Sequence, residues 1–312
     1  MDKLSAMTTF ATVVEAGSFT KAAQSLGLPK ARVSQRVSDL EHLLGVRLLH
    51  RTTRSLNLTE DGKAYFPRCL AVLQEIDDFE SALNSSASNP RGRVRIEALV
   101  SVARWVISPH LHEFKTMYPD LSVSLSSNDR ISHLLDEGID VAIRGGHLDD
   151  SSQIARYICD VQFGLYASAL YFDHHDNLKH PHALHSHQLI SWFGGQQNPF
   201  SWNLFSPSEQ YEVTTRDGLH FDDPEVAIAS CMAGGGICPG SPFAVEHWVR
   251  SGLLIPVLPN WSFAPKPIHL LYPTNKHLAP RVRCFVDWML ELAKRSHTIR
   301  MTPRELADSL SQ

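Results

Sequence analysis

The sequence predicts two unlike parts in one chain: an all-α unit at the N-terminus and, from residue 92 onward, an α/β unit of two lobes. Three observations carry this. Through residue 83 the apolar residues recur at intervals of three and four, the spacing of one helix face. The stretch NSSASNPRG at 84–92 then concentrates Ser, Asn, Pro and Gly, the composition of a linker. From Arg93 short β-branched runs alternate with helical stretches, which implies a mainly parallel sheet with helices on its faces.

At the usual ~150 residues per domain, 312 residues correspond to about two domains. The apolar share of 43% and charged share of 20% fit a globular protein with enough material for sizeable cores. No window approaches about 18 uninterrupted apolar residues, so no membrane span is expected. The opening MDKLSAMTTF lacks a charged start followed by an apolar run, so the expected location is the cytoplasm. Cys69, Cys159, Cys231, Cys238 and Cys284 are odd in number and widely spaced, which suits reduced thiols. The net charge of −4 gives no sign of a nucleic-acid partner, but its distribution does. Lys30, Arg32, Arg36, Arg47, Arg51 and Arg54 crowd residues 29–54 against only Asp39 and Glu41, a basic patch that could bind phosphate.

Taken in order, Leu4, Met7, Phe10, Val13 and Val14 mark a first helix ending near Gly17. Ser18 stands as N-cap of a second, closed by Gly27, and Pro29 fits the first turn of a third, closed by Gly45. RLLHRTTRSLNLT alternates around a basic tip, as a two-stranded wing would. Thr59 can cap a long, fairly isolated amphipathic helix over 60–83, which calls for a partner helix. Beyond the linker, strands are expected at VRIEALV, LSVSLSS, DVAIRGG, QFGLYAS, LISWF, YEVTT, GICP, LLIPVLP and PIHLLYPT. Helices are expected at 102–119, 131–138, 224–233, 242–250 and 280–295.

The third helix is thin in apolar residues. At 100° per residue Val33, Val37, Leu40 and Leu44 share one narrow face, and Ala31, Arg32, Gln35, Ser38 and His42 fall opposite, with Ser34 on a flank. Arg can bond a guanine edge with two donors, Gln can pair with an adenine edge, and Ser can reach phosphate. Ala22 and Ala23 are small enough for two helices to cross closely, and Ser18, Thr20 and Lys21 could meet a phosphate backbone. Helix, short Gly-containing turn and polar-faced helix together form the helix-turn-helix pattern.

FATVVEAGSFTKAAQSLGLPKARVSQRVSDLEHLLGVRLLHRTTRSLNLTEDG closely resembles the winged helix-turn-helix of LysR-type transcriptional regulators. LSSNDRISHLLDEGIDVAIRGGHLDDSSQIARYICDVQFGLYAS resembles the effector domain of the branch carrying a D-R…EGIDVAIR…DSS…AR string. One departure is Pro29-Lys30, where Ser-Gln often starts the recognition helix. The resemblance implies an α/β protein with an N-terminal all-α winged helix-turn-helix and an effector domain of two α/β lobes like a periplasmic-binding-protein fold. The implied boundaries are 1–58 for DNA binding, 59–91 for the dimerisation helix and hinge, and 92–300 for effector binding, with lobes at 92–162 plus 266–300 and at 163–265. The implied DNA contacts are Ser18, Thr20, Lys21, Lys30, Ala31, Arg32, Ser34, Gln35, Arg36, Ser38, Arg51, Thr52 and Arg54. Implied partners are promoter DNA, a second copy through the 60–83 helix, further copies to a homotetramer, and RNA polymerase.

The strand ends of the second part are where a ligand would sit in such a fold. Ser101 and Val102 precede a helix whose N–H groups could receive an anion, Ser127 and Asn128 end the next strand, and Arg144 could grip a carboxylate. Phe193, Phe200, Trp202 and Phe221 could form an apolar wall. These residues imply a small, anionic effector. The alternative for Arg144 is a salt bridge to Asp129 or Asp140, and for the aromatics ordinary core packing.

Other signals carry less. AGGGICPG lies between helix and strand and lacks phosphate-loop residues, so it reads as a turn. His174, His175, His180, His182, His185 and His187 crowd a polar loop without ligand spacing. Cys231 and Cys238 suit inert buried thiols better than a disulfide switch. No nucleophile elbow or HExxH is present, so no catalytic residue, metal or cofactor is expected. Two other readings are a small-molecule binding protein and a covalently triggered redox sensor.

Overall fold

The computed structural model describes residues 2–51, 56–83, 90–129, 138–146, 153–175, 178–192, 201–273 and 278–310. The chain divides into two compact units, the first holding Met1–Asn89 with His133–Ile139 and the second Pro90–Ser132 with Asp140–Gln312. Most of the linker and nearly all of the helix expected over 131–138 lie outside the described residues.

In the first unit α1 (Lys3–Ala16) is capped by Asp2, α2 (Phe19–Leu26) by Ser18, and both end on glycines in the left-handed conformation, Gly17 and Gly27. α3 (Lys30–Leu44) begins one residue later than the sequence predicts. Pro29 has extended backbone and occupies the N-cap, without a side chain to cap with. Ala22 and Ala23 are buried where α1 and α2 meet, alongside Phe10, Val33, Val37 and Leu40. β1 (Leu49–Arg51) and β2 (Leu56–Leu58) pair antiparallel as the wing, whose tip lies outside the described residues.

α4 (Glu60–Leu83) spans the predicted range but is less isolated than expected. Phe10 of α1 packs on Tyr65 and Phe66 at ring distances of 5.8 and 6.1 Å, and the buried Cys69 thiol donates to the Met7 carbonyl at 3.6 Å. Its first half therefore completes the core of this unit. Further along, Val72 and Phe79 are 44% and 66% exposed, so an apolar stripe remains uncovered within the unit.

The second unit opens on a five-stranded sheet ordered β4-β3-β5-β15-β6. Its strands are β3 (Gly92–Ala98), β4 (Leu121–Ser127), β5 (Val141–Gly145), β6 (Gln153–Val161) and β15 (Lys266–Pro273). β3 pairs in parallel with β4 and β5, but β15 lies antiparallel to both its neighbours. The expectation of a mainly parallel sheet is thus corrected. β15 enters from the second lobe, so no crossover helix sets its direction. The sequence reading missed β6, whose period of two is broken by a register shift opposite Ile268 and His269.

Between β3 and β4 the chain is helical throughout but uneven: α5 (Val100–Val102), a π turn (Ala103–Ile107), a 3₁₀ turn (Ser108–His110) and α6 (Leu111–Met117). Phe114 of α6 meets Phe285 and Trp288 at 5.7 and 5.2 Å in the first-lobe core. Those two come from the long helix α10 (Pro280–Arg295), which joins this lobe late in the chain.

The second lobe is built from small sheets, most of them antiparallel. β7 (Gly164–Ser168) is flanked by β12 (Cys238–Gly240) and β13 (Leu254–Val257), and β9 (Ser201–Phe205) by β10 (Gln210–Thr214) and β14 (Ser262–Phe263). β8 (Ile190–Trp192) and β11 (Leu219–Phe221) pair in parallel. Three helices complete the lobe: α7 (Ala169–Phe172), α8 (Pro224–Met232) and α9 (Pro242–Arg250).

The strands cross between lobes at Gln162–Phe163 and again just after β14. Gln162 Nε2 donates to Ser262 Oγ at 2.7 Å, tying the two crossings together. A third crossing lies at the C-terminus, beyond the last element read from the sequence. Ile299 is buried in the first-lobe core, while Met301 and Leu306 are buried in the second. α11 (Pro303–Asp308) is held by a capping box of Thr302 and Glu305. Leu306→Ala should lower the stability of this unit by about 2–5 kcal/mol, seen as a lower denaturant midpoint at unchanged m.

Candidate nucleic-acid interface and effector site

α3 divides into two faces. Val33, Val37 and Leu40 are buried; Lys30, Ala31, Arg32, Gln35 and His42 are exposed, and Ser34, Arg36 and Ser38 sit at intermediate depth. Gln35 Nε2 donates one hydrogen to Asp39 Oδ1 at 2.8 Å. Arg36 lies on the α1 side: the Asp2 carboxyl is held below its ordinary value, first by the Ser5 hydroxyl and in smaller part by Arg36. On α2, Ser18 Oγ accepts from the Thr20 and Lys21 N–H groups at 3.2 and 3.5 Å, and both those side chains are exposed. Thr52 and Arg54 lie outside the described residues, as does the side chain of Arg51.

Glu41, Gly62 and Thr59, which caps α4 as the sequence predicts, hold the wing in place. The Glu41 carboxylate accepts the N–H groups of Leu48 and Leu49 at 2.9 and 3.1 Å. Thr59 Oγ1 donates to the Arg47 carbonyl at 2.6 Å and accepts the Gly62 N–H at 2.9 Å. At Gly62 an added Cβ would stand 2.0 Å from the Leu48 carbonyl oxygen, so only glycine lets α4 pass this close to the start of β1. The signal was available in the string that runs from Leu40-Glu41 to Gly62, but only three-dimensional proximity shows its purpose.

In the second unit the ends of β4, β3 and β5 lie side by side, which brings together Ser127, Asn128, Ser101 and Arg144. Several of the neighbouring donors already have partners within the protein. The first N–H of α5, from Val100, is taken by Asp129 Oδ1 at 3.2 Å. Ser101 Oγ donates to Glu225 Oε1 at 3.1 Å, and Val102 is buried in the first-lobe core. Arg144 is paired with Glu97, both largely buried, rather than with Asp129 or Asp140. Asp140 instead accepts from Arg281 at 2.8 Å, clamping α10 to the sheet. Trp202 is corrected from a cleft wall to a core residue: it is buried in the second lobe and its Nε1 donates to Ser191 Oγ at 3.0 Å. Phe221 packs partly buried against the second-lobe core, and Phe193 and Phe200 lie outside the described residues.

Burial pushes the Asp129 carboxyl up to about 6, with the charges of Asp223 and Glu225 adding to the rise. A carboxyl raised in the folded state favours folding at low pH, and that contribution is lost as pH rises through the folded value. Moving from pH 7 to pH 5 should therefore stabilise this unit by about 1 kcal/mol through Asp129. Denaturation of wild type and Asp129→Asn at both pH values isolates that share: the variant should lack it.

The remaining signals resolve into packing. His175 stacks on Tyr171 at 4.1 Å, and the Tyr171 hydroxyl meets His187 Nδ1 at 3.1 Å. Among the described residues no group of three or more His, Cys, Asp or Glu is placed to hold a metal. Cys231 and Cys238 are buried free thiols; burial pushes Cys231 up to about 12 and Cys238 well above its ordinary value, so neither forms thiolate readily. The glycine-rich stretch is a turn in which Gly236, at φ +143°, passes close to the Gln188 carbonyl.

A helix-turn-helix with a cationic outer face, followed by a two-lobed α/β unit, defines a DNA-binding regulator with a ligand-sensing domain. Residues 4–63 match the family model for bacterial regulatory helix-turn-helix proteins of the lysR family, and residues 87–294 match the LysR substrate binding domain. The chain is 56% identical over 308 residues to an HTH-type transcriptional repressor of Pseudomonas aeruginosa, covering 98% of this chain and 97% of the other. It is 33% identical over 288 residues to the regulator CrgA of Neisseria meningitidis, covering 91% and 95%. The solved CrgA structure superposes at a TM-score of 0.60 with 31% identity, covering 93% and 98%. Full-length AphB of Vibrio cholerae superposes at 0.59 with 29% identity, covering 93% and 99%. The chain belongs to the LysR family: it is a transcriptional regulator with a helix-turn-helix domain and a substrate-binding domain, not an enzyme. The family binds DNA and small-molecule effectors and is oligomeric. Among the described residues no helix is long and apolar enough to cross a membrane.

Proposed function

We propose that this chain is a cytoplasmic, sequence-specific repressor whose hold on promoter DNA is set by a small, acid-bearing effector. The observation that carries the DNA reading is the division of α3, with Val33, Val37 and Leu40 committed to the core and Lys30, Ala31, Arg32 and Gln35 left exposed. Lys21, Thr20 and Ser18 at the start of α2, Arg36, Ser34 and Ser38 on α3, and Arg51, Thr52 and Arg54 in the sequence between α3 and β2 supply the flanking phosphate contacts. The uncovered stripe of α4 pairs two copies, and pairs of dimers make the tetramer. Two α3 helices then enter successive major grooves about one turn apart. RNA polymerase is the partner whose access is controlled, and repression rather than activation follows the 56%-identical relative.

The effector sits where β3, β4 and β5 end, with Ser101, Ser127, Asn128, Arg144 and Phe221 in reach, and acts by shifting populations between two arrangements on DNA. Fluorescence polarisation on a selected promoter fragment tests the whole reading. A scrambled fragment should compete poorly, and an acid metabolite should change the isotherm. Equal competition by scrambled DNA would refute sequence-specific binding, and a response confined to neutral ligands would refute the acid-bearing effector.

A further inference from the structure

We infer that Glu225 is an internal occupant of the effector site, holding the donors that an effector's acid group would use and tying the two lobes together until displaced. The inference rests on the effector site proposed above. Glu225 stands in the first turn of α8, in the second lobe. Its Oε1 accepts from Ser101 Oγ at 3.1 Å and from Trp105 Nε1 at 2.9 Å, and its Oε2 faces Arg104 Nη1 at 3.4 Å. All three donors belong to the first lobe, more than a hundred residues earlier in the chain.

The arrangement is held from both sides. Asp223 caps α8 and accepts the Glu225 N–H at 2.8 Å, which fixes the backbone under the carboxylate. Arg104 and Trp105 both lie in the π turn Ala103–Ile107, a local widening of the helix that is common at functional sites, and the Arg104 guanidinium sits 5.1 Å from the Trp105 ring centre. Glu225 is only 13% exposed, whereas Arg104 is 57% exposed. A hydroxyl, an indole N–H and a guanidinium around one carboxylate are what a free carboxylic acid would need. Because Glu225 is tethered, its effective concentration at these donors lies on the order of millimolar. An acid-bearing effector must outcompete it, and the interlobe tie is released when it does.

Chemical rescue of the full-length protein tests this, with acetate as the probe because it is the end of the removed side chain. Hydrogen exchange of residues 100–107 and 224–232 should rise about tenfold in Glu225→Ala, consistent with the loss of charge-assisted hydrogen bonds. Acetate at tens of millimolar should return it toward wild type, acetamide should not, and wild type should ignore both. Glu225→Gln, which keeps the shape and loses the charge, should fall between and controls for misfolding. Unchanged exchange in Glu225→Ala would overturn the inference, as would equal rescue by acetate and acetamide. Rescue by acetate in a protein whose wild type answers only to neutral metabolites would uphold Glu225 as occupant and refute the acid-bearing effector instead.

Discussion

Arg32→Ala is expected to flatten the protein's preference among DNA sequences while leaving its fold intact. Arg32 is exposed on the first turns of α3, opposite Val33 and Val37 and beside the small Ala31, where a long donor can reach a base edge. A bidentate contact to guanine contributes about 1–3 kcal/mol of discrimination, so the ratio between cognate and single-base variant sites should fall by roughly 5- to 150-fold. Arg54→Ala, in the basic sequence between β1 and β2, should behave differently, weakening all sequences alike and reducing the salt slope by about one unit. Isotherms on cognate and variant sites at several salt concentrations distinguish the two. An unchanged site preference in Arg32→Ala would move base recognition elsewhere on α3.

Gly62→Ala should be the most damaging single methyl group in the first unit. The added Cβ would stand 2.0 Å from the Leu48 carbonyl oxygen, which also accepts the Thr59 N–H, so backbone rather than a side chain must yield. We expect a loss of roughly 2–4 kcal/mol and, because β1 is displaced with its basic residues, weaker DNA binding at temperatures where the unit is still folded. Gly17→Ala is the useful contrast. Nothing lies within 4 Å of a Cβ there, so its cost is only the left-handed backbone at φ +60°, about 1 kcal/mol. Thermal unfolding of the two variants should rank them in that order.

The DNA-binding unit was largely legible because its signals are local. Ser18, Gly27 and Gly45 punctuate helices within a few residues of where they stand, and the burial of Val33, Val37 and Leu40 follows from helical period alone. Thr59 was legible as the cap of α4, but what fixes the wing was not, since Glu41, Gly62 and the second bond of Thr59 act on Arg47, Leu48 and Leu49 through contacts that only the folded backbone creates. The effector unit was readable as elements, but the partners of its candidate site residues were not. β15 had the composition of a strand but took its direction from the lobe it returns from. Arg144 sat at the predicted strand end, yet its partner Glu97 comes from β3, and Ser101 met Glu225 from across the lobes. Charged side chains far apart in sequence leave no periodic trace, so their pairing could not be read. Trp202 shows the same limit for aromatics: its burial and its bond to Ser191 depend on how β9 packs in the second lobe.

α3 is expected to read DNA sequence in pairs, one helix from each of two copies. Selecting genomic fragments on the purified full-length protein, then footprinting the enriched fragments, tests it most directly. The expected result is a small set of enriched sites, each with two protected half-sites about one helical turn apart, both lost with Arg32→Ala. Even recovery of all fragments, governed only by salt, would contradict it.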